Sequence, residues 1–340
     1  MTRGLPIAEG AATPLFILTG FLGAGKTTLL AKLVRRPEFA DTAVIVNEFG
    51  EVGLDHALVA EGQEDDVVLL DSGCLCCALN NSLAETLSDL FHRRARGEIP
   101  AFERVVVETT GIADPAPLIH TLMTDRHLAA RYRLGAVVTC VDATFFETQR
   151  DRFDEVTKQI AVADRLIVTK ADLADGPALA ATEDALRGLN PGAEILFSRQ
   201  ADLQPERVIA EPPVTGAQGA TAAACPPGEH RHDHGHHSTG LSTVFLAIDT
   251  EVSWPAYARA LDSLQRGVGE RLLRAKGLLR FQGEPQPLVI QGVQHVFAAP
   301  EPLPGAPSGM TTGLTLIGLD LEGDPAIEGL GELLTAAPRD

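Results

Sequence analysis

The sequence predicts an α/β fold, a parallel sheet flanked by helices and followed by a smaller α+β domain, and three observations carry that expectation. From Leu15 onward, short apolar runs rich in β-branched residues alternate with longer segments of helical period, the pattern of strands joined by crossover helices. Several of those runs are almost wholly apolar, as central strands buried on both faces must be. Composition then breaks sharply between Glu211 and Gly240, and a second set of strand and helix patterns follows. At 340 residues the chain is too long for one average domain and comfortable for two.

The first strands are expected at Leu15 to Thr19, Ala43 to Val46, Val67 to Leu70, Arg104 to Val107, Ala136 to Val141 and Arg165 to Thr169. Beyond the break, Ser242 to Ile248 alternates as a strand and Trp254 to Lys276 has helical spacing. Leu278 to Phe281, Leu288 to Phe297 and Leu314 to Leu319 read as further strands in antiparallel pairing. The expected organisation is a first domain over residues 1–210, a flexible linker over 211–240 and a second domain over 241–340.

A formal net charge of −18 argues against nucleic acid or an anionic membrane as partner, because a polyanion would be repelled over much of the surface. The first fourteen residues hold Arg3 but no apolar core of a signal peptide. No later apolar run approaches the roughly 20 residues a membrane helix needs. A cytoplasmic protein is therefore expected. Of five cysteines, Cys74, Cys76 and Cys77 crowd too closely to pair with one another in ordinary disulfide geometry, so they read as thiols in a reducing compartment. Cys140, within an apolar run, reads as a buried and inert thiol, and Cys225 falls in the linker.

The segment Gly20-Phe-Leu-Gly23-Ala24-Gly25-Lys26-Thr27-Thr28 matches the Walker A pattern and sits where that pattern has meaning, after an apolar strand and before a helical segment. The glycines let successive backbone N–H groups point at phosphate oxygens, and the helix start adds its positive dipole end. Lys26 is expected at the β- and γ-phosphates, the Thr27 hydroxyl on Mg²⁺, and Thr28 at the α-phosphate. A glycine-rich turn that only joins strand to helix has no need of the Lys-Thr pair. The strand at Arg104 runs into Glu108-Thr-Thr-Gly111, where a second Mg²⁺-side acid, Glu108, and a γ-phosphate-sensing glycine, Gly111, would belong. The sheet is accordingly expected to be of the P-loop nucleotide-hydrolase type.

Thr169-Lys170-Ala171-Asp172 follows another apolar strand and approaches the Asn-Lys-x-Asp element that reads guanine. A carboxylate at Asp172 can accept from both guanine N1–H and the exocyclic amine, while the Lys170 stem covers the ring face. Selectivity of this kind is steep, because a wrong base leaves a desolvated carboxylate unpaired. Thr169 stands where asparagine would contact guanine N7, which weakens the expectation of guanine over adenine.

Three thiols within four residues, Cys74, Cys76 and Cys77, can converge on one soft or borderline cation. Zinc is the default cargo and cobalt the second. A structural zinc site usually pairs two separated ligand halves, which this cluster lacks, so a transferable site fits better than a folding staple.

Taken together, these residues give a chain that resembles the CobW-type branch of the metallocentre-assembly GTPases over nearly its whole length. The matching segments are Gly20 to Thr28, Asn47-Glu48-Phe49-Gly50-Glu51, Cys74-Leu-Cys76-Cys77, Glu108-Thr-Thr-Gly111, Thr169 to Asp172 and Leu273-Arg-Ala-Lys-Gly277. The resemblance implies GTP hydrolysis coupled to binding of a divalent transition metal and its transfer to a client metalloprotein. It also implies a switch segment at Asn47 to Glu51, with Glu48 acting on Mg²⁺ or the attacking water and Glu51 completing the thiolate site.

His230, His232, His234, His236 and His237 lie in the linker with Asp233 among them, a cluster able to collect Zn²⁺, Ni²⁺, Co²⁺ or Cu²⁺ weakly and without fixed geometry. The expected ligands are thus GTP or GDP, Mg²⁺ and Zn²⁺, and homo-oligomerisation is left open. Two other classes fit parts of the pattern: a P-loop kinase acting on a small molecule, and a zinc store whose metal affinity ignores nucleotide.

Overall fold

The computed structural model describes residues 12–46, 67–69, 75–78, 82–210, 240–303 and 311–336, with 67–69 and 75–78 described by backbone alone. Asn47, Glu48, Glu51, Cys74, Cys225 and the five linker histidines lie outside the described residues. The described chain forms two compact units. No helix among these residues is long and apolar enough to cross a membrane.

An eight-stranded sheet organises the first unit. Its strands are Thr13–Gly20 (β1), Thr42–Val46 (β2), Val67–Leu69 (β3), Leu75–Ala78 (β4), Arg104–Glu108 (β5), Tyr132–Asp142 (β6), Arg165–Thr169 (β7) and Glu194–Phe197 (β8). They lie in the order β3-β4-β2-β5-β1-β6-β7-β8, every pair parallel except the edge pair β3 and β4. The intervening helices are Lys26–Leu33 (α1), Leu83–Ala95 (α2), Ala116–Thr124 (α3), Arg126–Ala129 (α4), Phe146–Arg150 (α5), Asp154–Ala161 (α6), Gly176–Leu189 (α7) and Pro205–Ile209 (α8).

The apolar runs are buried on both sides, as their composition requires. Phe16 and Leu18 of β1 pack with Leu29, Leu30 and Leu33 of α1 and Val208 of α8. Leu15 and Ile17, of opposite pleat, are wholly buried on the other face. Each such side chain contributes about 1.5–3 kcal/mol of burial. Helix α2 begins at a reciprocal cap: the Ser82 hydroxyl accepts the Glu85 N–H and the Glu85 carboxylate accepts the Ser82 N–H. The Tyr132 hydroxyl donates to the Leu87 carbonyl at 2.9 Å and ties that helix to β6. Parallel order brings the carboxyl ends of β1, β5, β6 and β7 to one edge of the sheet, where ligands of such folds bind.

The second unit is an antiparallel sheet of Leu241–Ala247 (β9), Leu272–Leu279 (β10), Leu288–Val293 (β11), Val296–Phe297 (β12), Glu301–Pro302 (β13) and Gly313–Leu319 (β14). The order is β12-β11-β10-β14-β9, with β13 against β11. Trp254–Val268 (α9), Pro325–Glu328 (α10) and Leu330–Thr335 (α11) bury Ala256, Tyr257, Ala260, Leu264, Ile327, Leu330 and Leu334 in a core shared with that sheet.

Several boundaries differ from expectation, each for a physical reason. The helical spacing over Trp254 to Lys276 stops at Val268, and Leu272–Leu279 is a strand hydrogen-bonded on both sides, to β11 and β14. Gly267 and Gly269 weaken the helix, and two ladders outweigh the helical period of the leucines beyond. The strand expected at Leu278 to Phe281 is the end of β10. Leu288 to Phe297 is a hairpin rather than one strand, turning at Gln294 in the left-handed region (φ 50°). Three strands carried no recognisable signal: Glu194–Phe197 and Glu301–Pro302, which are short, and Leu75–Ala78, whose cysteines read as ligands rather than as sheet.

Candidate nucleotide and metal site

The loop between β1 and α1 is shaped by its own sequence. Gly25 is the N-cap of α1 at φ 81°, a conformation that strains any side chain with a Cβ, and from there the first helical N–H groups face the loop. Lys26 is buried and curls back over the loop, its ammonium donating to the Gly20 carbonyl at 2.8 Å and the Phe21 carbonyl at 3.3 Å. Thr27 is half-buried and Thr28 exposed on the first turn.

Glu108 ends β5, the strand lying between β1 and β2, and is paired in register with Leu18 of β1 and Val46 of β2. Its side chain is buried, and the Thr27 hydroxyl donates to its Oε1 at 2.6 Å. The two residues expected at Mg²⁺ therefore meet directly, although 81 positions apart in sequence. A hydroxyl and a carboxylate are the hard oxygen donors that Mg²⁺ takes, so the pair fits that cation.

Gly111 lies on the loop after β5 and touches the phosphate loop: a Cβ there would stand 2.7 Å from the Leu22 backbone nitrogen. Only glycine allows that approach. The turn is fastened from two more sides. The Thr109 hydroxyl donates to that of Thr19 at 2.8 Å, and the buried Gln159 of α6 donates its amide to the carbonyls of Gly111 (3.3 Å) and Ala113 (3.0 Å).

At the base element, Thr169 is buried with its hydroxyl 2.8 Å from the Ala24 carbonyl and 3.1 Å from that of Val141. The residue expected to weaken base contact thus braces the phosphate loop instead. The Lys170 ammonium pairs with the Asp142 carboxylate at 2.6 Å. Asp172 is exposed, and its Oδ1 accepts the Gln200 N–H at 2.9 Å. That N–H, more than any charge nearby, holds the Asp172 carboxyl below its usual range. Gln200 and Ala201, both at positive φ (51° and 54°), form a loop whose backbone meets this element.

Cys140 is buried and free of disulfide, and burial pushes its thiol up to about 12, in keeping with an inert core residue. Among the described residues no group of three or more His, Cys, Asp or Glu side chains is placed to hold a metal. Of the cysteine cluster, the backbone of Cys76 and Cys77 lies in β4, paired with Val44 and Ile45 of β2. Ile45 in turn pairs with Val107, the residue before Glu108. Cys77 is therefore two strands from the Glu108 strand, about 10 Å at ordinary strand spacing.

Asp142, Gln159 and Gln200 were not marked by any motif. Asp142 alone offered a signal, an acid closing an apolar strand as Glu108 does.

Comparison with known proteins shows the family. The family model for the CobW/HypB/UreG nucleotide-binding domain matches residues 14–197, and that for the cobalamin synthesis protein CobW C-terminal domain matches 241–334. The chain is 32% identical over 317 residues to the zinc chaperone YjiA of Escherichia coli, covering 90% of this chain and 93% of that one. It is 29% identical over 326 residues to the zinc chaperone CobW of Pseudomonas aeruginosa, covering 87% and 84%. The crystal structure of Zn(II)-bound YjiA GTPase from E. coli superposes with a TM-score of 0.72 at 29% identity, over 95% of this chain and 98% of that one. The chain belongs to the CobW/HypB/UreG family of nucleotide-binding proteins, in the form that carries a CobW C-terminal domain.

Proposed function

We propose that this protein is a GTP-hydrolysing metallochaperone that binds a divalent transition metal and passes it to a client metalloprotein in a nucleotide-dependent way. The observation that carries the proposal is the convergence at one sheet edge of Lys26, the Thr27–Glu108 pair and Asp172, with the Cys76 and Cys77 backbone two strands away. In this reading Lys26 and the α1 N-terminus hold the phosphates, Thr28 reaches the α-phosphate, and Lys170 and Asp172 hold the base. Mg²⁺, held by Thr27 and Glu108, would neutralise charge that develops on the phosphate oxygens. Gly111, packed against Leu22 of the loop, would respond to the γ-phosphate through its backbone in this reading.

The cargo reading rests on donor chemistry. Cys74, Cys76 and Cys77 are soft ligands suited to Zn²⁺ first and Co²⁺ second, with Glu51 as a further donor and Glu48 in the same switch segment. The curated relatives named above are described as zinc chaperones, which supports zinc. The linker histidines would serve as a weak accessory store. A cytoplasmic setting supports thiols that stay reduced.

Base selectivity tests the nucleotide half of the proposal. Asp172→Ala is expected to reduce the preference for GTP over ATP by about 100-fold or more, because the paired acceptor for guanine is lost. Competition binding against a fluorescent GDP analogue measures it. An unchanged ratio would remove Asp172 from the base site, and an unmodified protein with no preference would favour a kinase or a store.

A further inference from the structure

Asp142 closes β6 with its side chain 1% exposed, and its two oxygens do different work. Oδ1 accepts the Thr144 N–H at 2.9 Å and the Thr144 hydroxyl at 2.6 Å. Oδ2 accepts the Lys170 ammonium at 2.6 Å. An asparagine carbonyl could serve Thr144 equally well. Burying a carboxylate is costly unless a cation offsets it, so the charge at this position is explained by Lys170 alone.

Lys170 in turn has no need of the pair for its own solvation, since its side chain is 36% exposed. Its backbone is held in the left-handed region at φ 55°, a conformation unfavourable for a residue with a Cβ. Neighbouring bonds enforce it: the Ala143 N–H donates to the Thr169 carbonyl at 3.1 Å, and the Ala171 N–H to the Ser198 carbonyl at 3.1 Å. The four-carbon stem is therefore strung between a fixed backbone and a fixed ammonium, two residues before Asp172. A lysine that only needed to be charged and flexible would require neither anchor.

We propose that Asp142 is a positioning residue for the nucleobase: it anchors the Lys170 ammonium so that the methylene stem forms a preset platform for the face of the guanine ring. The proposal rests on the base-site reading of Lys170 and Asp172. It assigns Asp142 no contact with nucleotide. Its effect is to remove the ordering of a rotamer-rich side chain from the cost of binding.

The test is calorimetric, on the full chain with Mg²⁺, using GDP and pyrophosphate as separate probes. Asp142→Asn keeps the Thr144 contacts and loses the charge. Lys170→Met keeps the stem and loses the ammonium. Each is expected to weaken GDP roughly ten-fold, the scale of a lost positioning contact, and to leave pyrophosphate within about two-fold. The double variant is expected to bind GDP no more weakly than Lys170→Met alone, because the two changes remove one interaction. GDP affinity unchanged in Asp142→Asn, equal loss for both probes, or additive losses would overturn the proposal. Should Asp142→Asn fail to fold, undiminished GDP binding by Lys170→Met overturns it equally. Asp172→Ala separates the two levels: lost guanine preference there beside an unaffected Asp142→Asn rejects only the anchor, whereas retained preference rejects the base site itself.

Discussion

Lys26→Ala is expected to weaken GTP and GDP by about 2–4 kcal/mol, or roughly 30- to 800-fold. The lysine is buried against the loop, and its ammonium lies 2.8 Å from the Gly20 carbonyl, curled over the turn that the phosphates would occupy. A charge-assisted contact made in that partly desolvated place is far stronger than one made in water, and alanine leaves nothing to replace it. The loop's remaining backbone N–H groups and the start of α1 would still bind anions weakly. Isothermal titration of GDP with Mg²⁺ checks the magnitude, and thermal unfolding checks that the fold survives. Retained tight binding would contradict the phosphate-site reading.

The second large effect is expected at Glu108. Glu108→Gln preserves shape and an acceptor for the Thr27 hydroxyl, now 2.6 Å away, but removes the one charge that this pair offers to Mg²⁺. Turnover of GTP is expected to fall about 100-fold, in the range of losing one preorganised electrostatic group, while GDP affinity changes much less. Single-turnover hydrolysis across a Mg²⁺ series separates the two, since half-saturation is expected to move to higher Mg²⁺. Unchanged turnover would take Glu108 out of the site.

Much of the fold was legible in the sequence because its determinants are local. The buried strands β1, β2, β5, β6 and β7 announce themselves as apolar runs, and each was placed within a few residues of its observed span. Where tertiary context decides, the reading failed. Leu272–Leu279 carries leucines at helical spacing yet is held as a strand by partners on both sides, and Leu75–Ala78 is sheet because β2 offers it a parallel edge.

The site shows the same division. Gly20 to Thr28 is a contiguous motif, legible because one short loop carries the residues proposed for the phosphates. Asp142, Gln159 and Gln200 act through partners 28, 48 and 28 residues away, and such pairings leave no local mark. Thr169 is instructive in another way. Read against the guanine-recognition element, it was a departure that lost a contact. In the fold its hydroxyl links the base element to the Ala24 carbonyl, a role open to any short donor at that position.

The central claim is that metal binding and nucleotide state are coupled, and a Zn²⁺ titration against a chromogenic chelator tests it most directly. The protein would lack residues 229–238, so that the linker histidines cannot compete, and would be titrated without nucleotide, with GTP and Mg²⁺, and with GDP. One tight site whose affinity differs between the GTP and GDP states, and which Cys76→Ser weakens, is the expected result. Equal zinc affinity in all three conditions would contradict the account.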